Sequence, residues 1–557
     1  MNLKHIERDR FLRILLEEQN QWKRIPALLT VDAQGSPGHQ RQLMRILPHL
    51  MVEGTANLHH LLKGPRRSGK STLLWQTLQA LRDRYGISPE QMFYFQMDHP
   101  ELSRESLGAI VGAIEEISPQ TSHDNPMFLF IDEIGVAENW RGWLKMYSDS
   151  RRPLRILASS SAFAYAHEGD SLDSGIDRWQ EHQVMPCNFM EFLEMLHRDA
   201  KVLPKWCWPE FASLKERLAS ISRNTQPDQQ LQESLRKMAL LGGYPRSIKD
   251  FKYEQTGIDD EAENVHKAHN YLSEIIDKVT HQDIPLAQRV KDPHRMLRLI
   301  QACSRNMARQ TSISKVGKAA GIDNAATTLK YMVPIEDSHI AFRLHPYVPI
   351  PGNHETLPEG TARKPTNQKL VFCDTAMAAA IRQAGIFSVI DDNQRGWGYE
   401  NMAGAALNEL ANREGRNLNY WRLEERYEVD FLYDAAGEGI LAVEIGSNPD
   451  HHKRNLRRIV KEIPRLRNSC YMVTPNNLVI HPGDTRDGIG EMPLAFFLLA
   501  VNAQSLQSSL TVGGRVGGTN YRVTETNRLL LERPPSLQPA LHENDMIFLT
   551  DNEISNT

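Results

Sequence analysis

Cysteine is scarce in this sequence. Cys187, Cys207, Cys303, Cys373 and Cys470 are five in 557 residues, odd in number, scattered and without CxxC spacing. That pattern excludes a disulfide framework and a clustered zinc site, and it predicts reduced, mostly buried thiols. No run of about 18 apolar residues occurs, so no membrane-spanning helix is expected. The opening MNLKHIERDR lacks the apolar core of a signal peptide, which gives the expectation of a cytoplasmic protein without a membrane partner. Neither charge sign dominates: 65 Lys and Arg against 69 Asp and Glu leave a net charge of -4. Any attraction to nucleic acid must then come from local basic patches. What is present is apolar material, 40% of the chain, enough to supply cores for about three to four domains at this length.

The most informative run is Gly64-Pro65-Arg66-Arg67-Ser68-Gly69-Lys70-Ser71, followed by Thr72. It has the spacing of a phosphate-cradling P-loop at every fixed position. Glycines let the backbone turn its N–H groups toward the β- and γ-phosphates, Lys70 adds a positive charge, and the Ser71 hydroxyl is of the type that ligates Mg²⁺. Leu58, Leu61 and Leu62 precede the loop as a short strand, a reading that His59 and His60 weaken. Lys70 to Leu81 follows with leucines at helical spacing, which places phosphate at a helix N-terminus. Residues 64–72 are therefore the candidate nucleotide-binding set, with ATP and Mg²⁺ as implied cofactors.

Met127-Phe128-Leu129-Phe130-Ile131-Asp132-Glu133 supplies the acidic partner that such a loop requires. An unbroken apolar run suits a strand buried on both faces of a parallel sheet, and its carboxyl edge is where ligands sit in open α/β folds. Asp132 is assigned to the metal and Glu133 to the attacking water. Apolar runs recur at Met92 to Phe95, Leu154 to Ala158 and Gln183 to Met185, separated by helical stretches, as in a doubly wound sheet. Ile6 to Leu50 reads as a helical preface interrupted at Gly35-Ser36-Pro37-Gly38, and Phe189 to Asn270 as helical without strands.

Between Thr311 and Tyr331, ISKVGKAAGID reads as a helix ended by Gly321 and NAATTLKYM as a second, which is helix-turn-helix spacing. Lys315, Lys318 and Lys330, with Arg305 and Arg309 nearby, offer phosphate contacts to DNA; a packing module is the alternative. Farther on, a helix from Met402 to Arg413, strands at Leu418 to Arg422, Tyr427 to Tyr433 and Gly439 to Ile445, and a basic helix at Lys453 to Glu462 read as mixed α/β.

The ordered series GPRRSGKSTLL, FLFIDEI with NWRGWLKMYSD, ILASSSAF, MPCNFMEFL, LGGYPRSI, YEN, YWR, EVDF and VEIGS resembles the prokaryotic AAA-type P-loop ATPases with a C-terminal PD-(D/E)xK nuclease-like domain of unknown function. The resemblance covers about Leu58 to Val501. It implies a multidomain α/β protein: an N-terminal helical segment (1–55), an AAA-type ATPase core (56–196), a helical lid (197–270), a winged-helix-like segment (271–350), a nuclease-like domain (351–503) and a C-terminal tail (504–557). It also implies that Ser159 and Ser160 match a small polar sensor, of which Ser160 is taken as catalytic with Lys70 and Glu133. Arg178 matches a candidate arginine finger, which requires a homo-oligomer. Asp430 and Glu444 fall at the nuclease family's acidic positions, and Glu400 joins them as a metal-ligand candidate. The family lysine is replaced by Gly446, with Lys453 or His451 as substitutes, so cleavage is not expected.

The function these features predict is an ATP-binding and ATP-hydrolysing protein that couples turnover to DNA or to a protein partner. The alternatives are a nucleotide-gated protein-binding switch with little hydrolysis and a Mg²⁺-dependent nuclease.

Overall fold

The computed structural model describes residues 3–24, 41–54, 58–118, 121–161, 179–197, 213–224, 228–249, 258–285, 292–347, 367–382, 392–423, 426–435, 439–447, 449–475 and 488–514. Its first layer is a sheet of five parallel strands, β1 (His59–Gly64), β2 (Met92–Gln96), β3 (Met127–Asp132), β4 (Leu154–Ser161) and β5 (Trp179–Gln183), in the order β2-β3-β4-β1-β5. Around it lie α1 (Arg8–Arg13), α2 (Leu47–Glu53), α3 (Lys70–Tyr85), α4 (Leu107–Ile117) and α5 (Trp140–Asp149). Phe128 and Phe130 of β3 join a core with Leu74 and Leu78 of α3, while Leu129 and Ile131 join another with Ile110 of α4 and Leu144 of α5. Alternate residues of one strand thus serve opposite faces, which is why the strand reads as an unbroken apolar run.

The expected strand at Gln183 to Met185 is corrected to Trp179–Gln183. Its sequence WQEHQ has no apolar run; pairing with β1 from His59 to Lys63 and the contact of Trp179 with Trp140, ring centroids 6.2 Å apart, hold it in place. His59 and His60 prove compatible with a buried strand, His60 Nδ1 lying 3.0 Å from His182 Nε2 of β5. The helical preface is present as α1, a π-helical turn (Ile14–Gln19), a 3₁₀ turn (Gln42–Arg45) and α2, all lining the same two cores. The Gly35 to Gly38 interruption lies outside the described residues.

A helical layer follows, α6 (Phe189–His197), α7 (Leu214–Asn224), α8 (Gln229–Leu241), α9 (Pro245–Lys249) and α10 (Ile258–Lys278), the last continuing into a π-helical turn at Val279–Asp283. Then come α11 (Pro293–Arg305), β6 (Gln310–Thr311), α12 (Ile313–Ala319), α13 (Ala325–Asp337), β7 (Ala341–Pro346), β8 (Gln368–Phe372) and α14 (Thr375–Ile381). Ser312 and Asn324 cap α12 and α13 through their side-chain oxygens, so the two helices start where the sequence places them.

The last elements are α15 (Asp392–Glu414), β9 (Leu418–Leu423), β10 (Tyr427–Asp434), β11 (Ile440–Ile445), α16 (Pro449–Glu462), β12 (Cys470–Thr474), β13 (Ile489–Pro493) and α17 (Leu494–Gly514). The second sheet has the order β13-β12-β11-β10-β9-β7-β8-β6. β8 lies beyond residue 350 yet pairs antiparallel with both β6 and β7, so strand pairing runs across that sequence-based division. α17 extends to residue 514 and buries Leu498, Leu499 and Val501 against the helical layer and the second sheet. Cys187, Cys303 and Cys470 are buried and free, and no helix among the described residues is long and apolar enough to cross a membrane.

Candidate nucleotide-binding site

The loop between β1 and α3 takes its shape from two glycines. A Cβ at Gly64 would lie 2.1 Å from the Val184 carbonyl oxygen, so only a residue without one lets the chain pass there. Gly69 has φ of +100°, a left-handed conformation that turns the chain into the first turn of α3. The N–H groups of that first turn are unpaired within a helix by geometry, which makes them anion donors. Among the described residues, the buried Ser68 hydroxyl has no hydrogen-bond partner.

Lys70 is buried, and its ammonium donates to the carbonyls of Gly64 and Pro65 at 3.0 and 2.9 Å. Burial pushes its pKa below the ordinary lysine value, and the charges of Glu133 and Asp132 pull it back up. The cation and both acids therefore share one site at the carboxyl edge of β1 and β3.

Asp132 is held from two sides, by the Tyr94 hydroxyl at 3.1 Å and by the Ser159 hydroxyl. Ser159 also accepts the Glu133 N–H at 3.0 Å, and the Glu133 carboxylate accepts the Ser161 N–H at 3.0 Å. Glu133 has φ of +51°, an uncommon conformation for a non-glycine residue that these bonds over-determine. The expectation for Ser160 is corrected: its hydroxyl donates to the Ser161 carbonyl at 3.0 Å, and Ser159, one position back and on the other side of the strand, is the serine beside the acids. Arg178 lies outside the described residues.

The loop arginines turn outward to the helical layer. Arg66 meets Asp283 at 2.5 Å, and Arg67 lies 3.6 Å from Glu274 with its guanidinium 4.9 Å from the Tyr271 ring centroid. Arg246 approaches the same ring at 5.3 Å, and Pro245 packs toward Gly69. The Gly-Gly-Tyr-Pro-Arg turn is itself tethered, Gly243 donating to Asp374 at 2.7 Å and accepting the Cys187 N–H at 2.6 Å.

Sequence reasoning missed Arg41. Buried, it donates to the Ser68 and Met185 carbonyls and to Glu191, each at 2.8 Å, and so braces the phosphate loop from behind. No motif marks it, since its partner Glu191 lies 150 residues away. Tyr94 was hidden likewise inside an apolar strand, and Arg246 inside a motif read only for its resemblance.

At the second sheet the structure brings Glu400, Asp430 and Glu444 together, but not as a metal site. The Lys369 ammonium of β8 sits among them, 2.6 Å from Glu400, 2.9 Å from Asp430 and 2.8 Å from Glu428. Among the described residues no group of three or more His, Cys, Asp or Glu is arranged to hold a metal ion. The expected ligand set is corrected for that reason: a buried lysine takes the central position between the carboxylates. Burial opposes its charge, but Asp430, Glu400 and Glu428 overcome that and hold its pKa well above the ordinary value. Burial and the Asp430 charge push Glu400 and Glu444 upward. The suggested substitutes for the missing lysine are corrected too. Lys453 is paired with Glu491, and His452, not His451, is hydrogen-bonded to Glu444, Nδ1 to Oε1 at 2.8 Å, its ring standing where a Cβ on Gly446 would be.

The parallel sheet, glycine loop and acidic strand end define an α/β domain of the P-loop type. A family model described as an AAA domain matches residues 57–193, and two further models, both domains of unknown function (DUF8612 and DUF4143), match 232–388 and 395–498. Residues 57–193 thus resemble an AAA domain, and the residues after them match domains to which no function is attached. Two uncharacterized proteins of Methanocaldococcus jannaschii are each 22% identical, over 75% of this chain and 81% of the relative in one case and 73% and 79% in the other. Among solved structures, the RuvB Holliday junction branch migration motor of Thermotoga maritima is 15% identical over 55% of this chain and 89% of that one, with a TM-score of 0.28.

Proposed function

We propose that this protein binds ATP with Mg²⁺ and hydrolyses it, and that it couples turnover to DNA or to a protein partner through its later domains. The observation that carries the reading is the convergence of Lys70, Asp132 and Glu133 at one sheet edge, with Glu133 pinned in a left-handed conformation. The backbone N–H groups of residues 64–72 and the Lys70 ammonium hold the triphosphate; Ser71 and Asp132 are the groups that hold Mg²⁺, which supplies charge neutralisation when bound. Glu133 orients and accepts a proton from the attacking water, and Ser159 keeps both acids aligned. Arg178, supplied by a neighbouring subunit, is the candidate finger. α11 to α13 with the β6-β8-β7 strands correspond to a winged helix, and β9 to β13 with α15 and α16 to a nuclease-like domain that has Gly446 in place of the family lysine and is read as inactive.

Glu133→Gln separates binding from hydrolysis. The variant keeps affinity for a fluorescent ATP analogue and loses phosphate release by about 10²-fold or more; hydrolysis at the parental rate removes Glu133 from this role.

One observation favours the partner-gated switch. Leu329 and Val333 of α13 are exposed one helical turn apart, two of only three large apolar side chains exposed among the described residues. That helix offers apolar contact as well as Lys330, and nucleotide-dependent capture of a protein without DNA dependence supports the switch.

A further inference from the structure

The segment around α16 is locally basic. Between residues 451 and 467 there are seven Lys and Arg against the single acid Glu462, in a chain whose net charge is -4. α16 buries Leu456 and Ile459 completely against β10 to β12, which fixes its opposite side toward solvent. On that side Arg454, Arg457 and Lys461 are exposed, with Arg458 beside them and Arg465 just past the helix end. The spacing of three and four residues makes one stripe, about 10 Å from Arg454 to Lys461 at the helical rise of about 1.5 Å. Lys453, by contrast, is turned to Glu491 and belongs to the interior.

The stripe continues onto β10. The guanidiniums of Arg426, Arg454 and Arg458 lie 5.6, 5.3 and 5.6 Å from the Tyr427 ring centroid, and Arg454 donates to the Tyr427 hydroxyl at 3.3 Å. Three cations are thus gathered at one partly exposed ring. Arg458 is shared with Glu462 at 2.6 Å, which neutralises only part of this charge.

We propose that the α16 stripe, with Arg426 and Tyr427, is a docking surface for the phosphate backbone of a nucleic-acid strand, bound without base specificity. Charge complementarity selects a polyanion, and the surroundings choose among polyanions. A membrane surface requires an apolar helix face to enter the lipid, and the apolar face of α16 lies in the core. A protein partner is anchored by apolar side chains, yet the large exposed ones among the described residues are Val136, Leu329 and Val333, none of them on this surface. A row of cations complements the linear charge of a nucleic-acid backbone, whose phosphates recur every few ångströms along each strand (about 3.4 Å of duplex axis). The inference rests on the nucleic-acid half of the proposed function and moves its contact from α13 to α16.

The test is fluorescence anisotropy of a labelled 20-nucleotide strand and a 20-base-pair duplex with the full chain, without nucleotide, from 50 to 200 mM KCl. The probe lengths and salt range are set by the size of the counterion effect, which is read over about that span. The triple variant Arg454→Gln, Arg457→Gln, Lys461→Gln is compared with Lys315→Gln, Lys318→Gln, Lys330→Gln, and circular dichroism confirms that both retain their helices. The first variant loses at least about tenfold in affinity and about two to three in the slope of log affinity against log salt; the second binds as the parent does. Parent-like binding by the α16 variant overturns this inference and leaves nucleic-acid coupling standing. A parent that binds neither probe overturns both.

Discussion

The Arg66 guanidinium, inside the phosphate loop, meets the Asp283 carboxylate beyond α10 at 2.5 Å, so the nucleotide site and the helical layer share an ion pair. Asp283 is largely buried and Arg66 is about two-fifths exposed, at 13% and 41% of their side chains. On the proposed function, a bound triphosphate would compete with Asp283 for that cation and so link nucleotide to the position of α10, in both directions.

Asp283→Asn tests that linkage. Releasing Arg66 to face phosphate tightens nucleotide binding by up to about fivefold, the upper end of the range for a partly exposed ion pair. In an Arg66→Ala background the same substitution has no effect. Equal changes in both backgrounds, measured by titration with a fluorescent nucleotide, remove the pair from the linkage.

The serines of β4 separate by role. Ser159→Ala loses the bonds that align Asp132 and Glu133 and lowers kcat about 10- to 100-fold, with little change in nucleotide affinity. Ser160→Ala leaves kcat near the parental value, because among the described residues its hydroxyl bonds the neighbouring carbonyl and not the acids. Reversal of the two effects in steady-state assays restores the reading that sequence suggested.

What the sequence showed and what it concealed follow from locality. The loop, β3 and Asp132-Glu133 were legible because each is a contiguous run whose chemistry requires those residue types. Adjacent serines at a strand end cannot be told apart without knowing which face each occupies, and so Ser160 was chosen over Ser159. β5 was misplaced because its pairing and a tryptophan contact decide it, not hydrophobicity. Lys369 was invisible for a further reason. It lies 31 and 61 residues from Glu400 and Asp430, and only the pairing of β8 into the second sheet brings it to them.

The buried histidines of β1 make stability depend on pH. Burial, with the charges of His60 and Arg155, lowers His59 to about 3, and neither of its ring nitrogens has a partner among the described residues. A folded-state pKa below the unfolded value of about 6.5 means that the unfolded chain takes up the proton first, so stability is lost as pH falls from about 6.5 toward 3. His59→Leu removes this loss. From pH 7.5 to pH 5.5 the variant gains about 1.4 kcal/mol on the parent in urea unfolding, one unit of linkage. A constant difference between the two proteins shows that His59 is not protonated on unfolding in that range.

The central claim is that ATP turnover at Lys70 and Glu133 answers to what the later domains bind. Steady-state phosphate release by the parent and by Lys70→Ala, with and without single- and double-stranded DNA, tests it most directly. The account predicts hydrolysis by the parent that DNA stimulates and that Lys70→Ala abolishes under both conditions. Hydrolysis that persists in Lys70→Ala, or a parent that releases no phosphate with or without DNA, contradicts it.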